Sequence, residues 1–493
     1  MEQSRKIAVF VACISLTVCA SAQNPFRERF EQFSKDVRSQ YEGFRRECNE
    51  RYAEYMKNPW VEFNANPVMR IPKEEWSVPI EYNEKTDTLE HNRHLPVSTK
   101  PVFIPEPEPQ PGPVEPLKPS NPIPGATPFD FDYFGTRLSV SAFDSMKFEM
   151  KGACDEQTVT SFWIQFFSGE YDRLLSDMLR IRTERCLCDW AYMQLLDHFS
   201  TAFLGGGNES TLLFFFLLSQ SGYMTRLGCI TQDDEEMLCI LFCTDAILPN
   251  MSNISIGDDV YYVYSDYWVE SMSIFPMSYY DEERPVSFTI ARAPILAADY
   301  YRRTLNGSHL SVTDIKINRN VADFYKTYPV AILNGNGMTQ WALKASVEME
   351  HSVVETLYPA LRSAIAGRPE YEAVSVILSF LQTALTYRKD DFIWGFERAF
   401  FNEETLFYPY CDCEDRAILF SRIIRDVVGL DVVLVFYPGH LAAAVEFSSS
   451  VNGDYVMYED RKFTICDPTY IHAGIGRTMV GCDNAEATLI LVR

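Results

Sequence analysis

Apolar and polar positions change their spacing several times along the chain. After residue 22, Phe26, Phe30, Phe33, Val37, Tyr41, Phe44, Cys48, Tyr52 and Tyr55 recur in steps of three and four. That is one apolar stripe on a helix, with an eleven-residue repeat. It predicts an amphipathic helix over 23–58 that docks on its own protein, self-association being the sharper alternative. From Pro59 to Pro128 the periodicity vanishes, and a run such as PEPEPQPGPVEPLKPSNPIP predicts an extended, proline-rich linker. A globular pattern starts at Phe129. Helical spacing fills 158–227 and includes the apolar helix of NESTLLFFFLLSQSGYMTRLG, which ends near Gly222. Strand signals follow at 237–268 (MLCILFCTDAIL, DVYYVYSDYW) and continue by alternation through 285–330 (VSFTIARAPIL, HLSVTDIKI). Helical spacing returns over 340–400, and from Cys413 the order is one helix followed by strands.

These shifts divide the chain into a leader over 1–22, the helix over 23–58 and the linker over 59–128. An upstream α/β domain over 129–270, a strand-rich connector over 271–330 and a C-terminal domain over 331–493 complete it. The two globular stretches echo one another. Residues 208–228 lie over 413–433 with Glu209 on Glu414 and apolar helices ending near Gly222 and Gly429. In that alignment Asn208 stands where the second stretch has Cys413, and no histidine stands at the position of His440. The upstream domain is therefore a candidate degenerate copy of the C-terminal one.

Composition narrows the class. A hydrophobic content of 47% with 14% aromatics describes a packed globular protein, and a formal charge of −24 argues against nucleic acid or an anionic membrane surface as main partner. The start, MEQSRKIAVFVACISLTVCASAQ, has an apolar run closed by Ala20-Ser21-Ala22. It reads as a secretory signal peptide with the mature chain beginning at Gln23, so a secreted or periplasmic location is expected. Lipid anchoring is disfavoured, because Val18 precedes Cys19 and Cys13 would leave a very short apolar core. No later segment has the length to span a bilayer. The sequence leaves the oligomeric state open. Of thirteen cysteines, two lie in the leader and eleven remain, an odd number. No histidine or further cysteine pair stands at zinc spacing from Cys186/Cys188 or Cys239/Cys243, so neither a metal nor a cofactor is expected.

The candidate chemistry lies near the C-terminus. A helix opens at Cys413, with Asp412 or Asp415 to cap it, apolar residues at Ala417, Phe420, Ile424 and Val427, and Gly429 to close it. A first-turn cysteine faces backbone N–H groups and the positive end of the helix, which predicts a lowered thiol pKa. The strand DVVLVFY turns at Pro438-Gly439 and delivers His440; a hairpin after VNGD ends at Asp467. Cys413, His440 and Asp467 are 27 residues apart in turn, and adjacent antiparallel strands would set the last two side by side. That is the order needed for a thiolate–imidazolium pair oriented by a carboxylate. The plainer alternative makes Cys413 a small core residue and His440 and Asp467 turn residues. His472 falls outside the pattern, and Cys466 reads as core.

In sum YCDCEDRAILFSRIIRDVVGLDVVLVF, His440 and CDPTY resemble the transglutaminase-like superfamily of papain-type cysteine enzymes, over roughly residues 370–470. Cys413-Glu414-Asp415, His440 and Asp467-Pro468-Thr469 match its three blocks in order. The resemblance selects Cys413 over Cys411, because Asp415 and Ala417 then occupy the family's acidic and small positions. It implies an α+β fold in which a helix is followed by antiparallel strands, with Cys413 as nucleophile, His440 as base and Asp467 as its orienter. Two features depart from it: His440-Leu441-Ala442 replaces the family's His-x-Trp, and the second oxyanion donor is unassigned, with Trp394, Tyr408 and Tyr410 as candidates. The expected activity is that of a secreted enzyme acting on amide bonds of a protein or peptide through a thioester, with a peptidase or amidase favoured over cross-linking. The alternative is a non-catalytic interaction or scaffold protein with a relict triad.

Overall fold

The computed structural model of the chain describes residues 43, 45–54, 56–57, 60–69, a few positions between 80 and 104, and 127–493 except 151–153, 168–170, 233–234, 266–268, 275–282 and 391–393. The leader, most of the apolar stripe and most of the proline run lie outside these residues. What is described of the stripe is helical over 45–54 (α1), and its Cys48 and Tyr52 are buried. Tyr52 packs on Trp163 with ring centroids 4.8 Å apart, and Trp163 Nε1 donates to Asn49 Oδ1 at 3.0 Å. This part of the helix therefore docks on its own chain. The linker reading needs one correction. Val61–Asn64 (β1) forms a strand, and Val102 bridges to Ile490 near the C-terminus. A lone strand without alternation becomes legible only through the sheet edge that receives it.

The upstream half opens with the hairpin Thr127–Tyr133 (β2) and Thr136–Ala142 (β3). Four helices follow: Glu156–Phe167 (α2), Tyr171–Glu184 (α3), Asp189–Leu204 (α4) and Asn208–Gln220 (α5). Between α4 and α5 stand Gly205, Gly206 and Gly207 at φ 86°, 88° and 79°, a left-handed run that side chains resist. Helix α5 is apolar all round and buried from Leu212 to Gln220, which makes it the central helix of this half. Strands Thr225–Gln232 (β4), Glu235–Cys243 (β5), Asn253–Ile256 (β6), Asp259–Tyr264 (β7) and Ser271–Ile274 (β8) build an antiparallel sheet with β1, in the order β1-β8-β4-β5-β7-β6.

Residues 285–299 alternate, and Val286, Phe288 and Ile290 are buried, yet the segment joins no sheet. Its alternation records one buried side, not a ladder. A second hairpin follows, Tyr300–Asn306 (β9) with Ser311–Asn318 (β10), and then a helix the sequence reading missed, Arg319–Thr327 (α6). Asn318 caps α6 by accepting from Asn320 N–H at 3.2 Å. Helices Thr339–Ser346 (α7), His351–Ile365 (α8) and Glu370–Ala384 (α9) come next. Thr386–Tyr387 (β11), Asn402–Phe407 (α10) and Tyr410–Cys411 (β12) lead into Cys413–Ile423 (α11), which continues as one wider turn to Gly429.

Strands Val432–Tyr437 (β13), His440–Glu446 (β14), Tyr455–Tyr458 (β15), Arg461–Cys466 (β16) and Thr488–Leu491 (β17) form an antiparallel sheet ordered β15-β16-β14-β13-β17. Set β13 on β4 and continue in sequence, and this is the order β8-β4-β5-β7-β6 of the first sheet. Hairpin, helices and five strands thus occur twice in one order. The fold is mixed α and β with antiparallel sheets, and one apolar core runs through both halves from Tyr52 to Ile490. Among the described residues no helix is long and apolar enough to cross a membrane.

Candidate active site

Cys413 is the first residue of α11. Asp412 and Asp415 close a reciprocal capping box, in which Asp415 Oδ2 accepts from Asp412 N–H at 3.2 Å. Asp415 Oδ1 also accepts from Phe400 N–H at 2.7 Å, so the segment before α10 is fixed to the start of α11. Helix α11 packs on β13 and β14. This sets Cys413 against the beginning of β14, where His440 stands, and both residues line one cavity of about 300 Å³.

His440 Nε2 and Asp467 Oδ2 are 2.8 Å apart, with both residues buried. They meet because β14 and β16 are antiparallel neighbours, with Ala443 opposite Cys466. Asp467 Oδ1 accepts from Thr469 N–H at 2.8 Å and Tyr470 N–H at 3.1 Å, an Asx-type turn ahead of Pro468. Gln382, on α9, donates to the carbonyl oxygens of Asp467, Tyr470 and Ala473. Tyr437 stacks parallel to the His440 ring at 12°. The imidazole is therefore held by a carboxylate, a ring and a loop that is itself pinned.

The thiol has a different neighbour from the one foreseen. Cys413 Sγ donates to Glu414 Oε2 at 3.1 Å. Burial and the Glu414 carboxylate push this thiol well above its ordinary value, and the Leu441 backbone N–H facing the sulfur only partly opposes them. The expectation of a lowered pKa is thus corrected: desolvation and the adjacent acid raise the thiol instead. Cys411 is buried, with its thiol pushed up to about 11, and packs as core. Cys466 is likewise fully buried.

Sequence spacing gave no warning of the acids around the thiol. The two-residue parallel pairing of β11 with β12 sets Tyr387 beside Cys411. Asp390 and Asp412, which follow these strands, thereby converge. Arg398 N–H donates to Asp390 Oδ2 at 2.6 Å and folds Glu397 back to the same place. Asp390, Glu397, Asp412 and Glu414 each present an oxygen within 4.8 Å of the others, a set able to hold a metal ion. Burial raises the carboxyls, Asp390 to about 8 and Asp412 and Glu414 well above the usual range. Zinc spacing concerns soft ligands close in sequence, whereas these hard oxygen ligands come from separate segments.

The oxyanion candidates also need revision. Trp394, Tyr408 and Tyr410 do not line this cavity; Trp394 and Tyr408 pack on each other at 5.1 Å, and Arg388 sits over the Tyr410 ring. The cavity wall holds instead Trp341, whose buried Nε1–H has no partner. Trp341 packs on Phe436 at 5.3 Å, so an aromatic wall exists although His440-Leu441-Ala442 lacks one.

The upstream half repeats part of this arrangement. Asn208 opens α5 as Cys413 opens α11, and its Oδ1 accepts from Leu238 N–H on β5 at 2.8 Å. Leu238 follows Met237 as Leu441 follows His440. Neither a thiol nor an imidazole stands there. Comparison with protein-family models, with curated proteins and with solved structures finds no match to this chain.

Proposed function

We propose that the chain is a cysteine enzyme of the transglutaminase-like type, acting on amide bonds through a thioester, with hydrolysis favoured over cross-linking. The observation that carries this reading is the His440–Asp467 hydrogen bond on the wall of the cavity that also holds Cys413. With Nε2 engaged by Asp467, proton exchange with sulfur falls to Nδ1. Sulfur attacks the carbonyl carbon and its proton passes to His440. As the C–N bond breaks, His440 returns that proton to the leaving amine. Water, activated by the same imidazole, then releases the acid. The Cys413 N–H at the helix start and Trp341 Nε1–H are the donors best suited to the oxyanion. The upstream half fits a degenerate copy, with Asn208 and Met237 at the places of Cys413 and His440.

One observation favours a second reading, a silent triad in an extracytoplasmic interaction protein. The thiol is hydrogen-bonded to Glu414 and pushed upward in pKa, away from the nucleophilic thiolate. A screen of peptide amides for acid and amine release, with Cys413→Ala as control, separates the two. Turnover abolished by that substitution supports the enzyme; equal release by both proteins, or by neither, rejects it.

A further inference from the structure

Two thiols of the upstream half meet far along the chain from the Cys413 site. Cys154 stands just before α2, and Cys229 lies within β4. Cys154 is buried, Cys229 is half-buried, and both pack against the same apolar core. The Cys154 thiol donates a hydrogen bond to the Cys229 sulfur, and that contact lowers the Cys229 pKa while it raises that of Cys154. We propose that Cys154 and Cys229 are a redox-active pair that closes to a disulfide by exchange with a small-molecule disulfide, fastening the start of α2 to β4.

Contacts on both sides of Cys154 hold it to the strands that flank Cys229. On one side, Trp60 N–H donates to Glu156 Oε1 at 3.1 Å, and β1, which begins at Val61, pairs with β8, where Ser273 is the cross-strand partner of Cys229. On the other, Met150 N–H donates to Glu209 Oε1 at 3.0 Å. Asn208, next to Glu209, holds Leu238 N–H at 2.8 Å, and Leu238 lies opposite Cys229 in the β4–β5 register. Cys239 turns to the other face of the sheet and packs in a separate core, so it does not compete for Cys229. Cys229 lies opposite Leu238 as Phe436 lies opposite Leu441, and Phe436 lines the Cys413 cavity. The thiol pair thus stands at the upstream counterpart of that wall.

Cys229 is the more exposed sulfur and the one that accepts the hydrogen bond, so it loses its proton first and attacks the small disulfide. One sulfur of the oxidant becomes bonded to Cys229, and the other leaves as a thiolate. That thiolate takes the Cys154 proton. The Cys154 sulfur then attacks Cys229 and expels the second thiolate, which takes up the proton that Cys229 released. Two protein thiols become one disulfide, and two electrons and two protons pass to the oxidant, which leaves as two thiols. The bridge closes a loop containing α2 to α5, and so restricts the unfolded chain.

The test is oxidation of the fully reduced, folded full chain with excess oxidised glutathione, then alkylation of the remaining thiols, digestion without reductant and mass spectrometry. The expected product, in most chains, is a linked Cys154–Cys229 peptide pair that dithiothreitol separates. Cys154→Ser removes the second attacking sulfur, so the reaction should stop at a glutathione adduct on Cys229, with thermal unfolding to check that this variant folds. Three results would overturn the proposal: no linked Cys154–Cys229 pair in the wild type, Cys154 linked to another cysteine instead, or a wild type that keeps the glutathione adduct on Cys229. The Cys413 peptide is read separately, so failure here leaves the amide chemistry untouched.

Discussion

Asp467 does two jobs with one carboxylate, holding His440 through Oδ2 and the backbone of its own turn through Oδ1. An asparagine can keep the turn, but its amide cannot hold the imidazole in the same tautomer. Asp467→Asn is therefore expected to fold and to lower kcat by ~10³–10⁴ with little change in KM, as measured in the peptide-amide assay. Trp341→Phe keeps the packing on Phe436 and removes only the indole N–H, so a fall in kcat of ~10²–10³ is expected, again with KM nearly constant. An unchanged kcat would remove Trp341 from the oxyanion site. At this scale the sequence was informative where chemistry sits on local turns. Cys413 follows a capping residue, His440 follows Pro-Gly and Asp467 precedes proline. It was silent where residues meet only through tertiary contact. Asp390 and Glu397 reach Glu414 by a two-residue strand pairing that no periodicity announces.

Helix α9 shows how an element serves the site from behind. Its Gln382 Nε2 donates to the carbonyls of Asp467, Tyr470 and Ala473, and Arg416 from α11 bonds to the carbonyl oxygens of Leu385 and Pro468. Gln382→Ala strands buried carbonyls and is expected to destabilise the protein by roughly 2–3 kcal/mol, read from urea unfolding. Activity should fall as well, through looser positioning of Asp467. Long helices and the last hairpins were legible because their spacing reflects which side is buried. Helix α6 was not, because its short apolar face follows directly on the alternation of β10. Residues 285–299 misled in the opposite sense, having the alternation of a strand without a partner strand.

Across the whole molecule α6 helps to join the two halves. Thr327 Oγ1 accepts from Gln194 Nε2 of α4 at 2.8 Å, while Tyr325 stacks on Phe401 at 4.0 Å at the start of α10. Behind that junction Glu403 is buried, accepting from Glu350 N–H, and burial raises it from 4.5 to about 7. The folded state therefore binds a proton that the unfolded chain releases near pH 4.5, so the Glu403 contribution is full below that pH and is lost as the pH rises to about 7. The loss is on the order of 3 kcal/mol at 1.36 kcal/mol per unit. Glu403→Gln, which stays neutral, should gain stability relative to the wild type across that window. Denaturant unfolding at pH 5 and pH 8 measures it, and an equal difference at both would contradict the assignment. The duplicated strand order belongs to this scale too. The sequence echo hinted at it weakly, because strand order is set by which faces pack together and not by individual residues.

The proposed chemistry runs through a thioester on Cys413. Mix the protein with an activated acyl-peptide, quench in acid within the first turnover, and map the adduct by mass spectrometry. An acyl group on Cys413 is expected, which hydroxylamine removes and which His440→Ala fails to form. No acyl adduct, or one on any other cysteine, would contradict it.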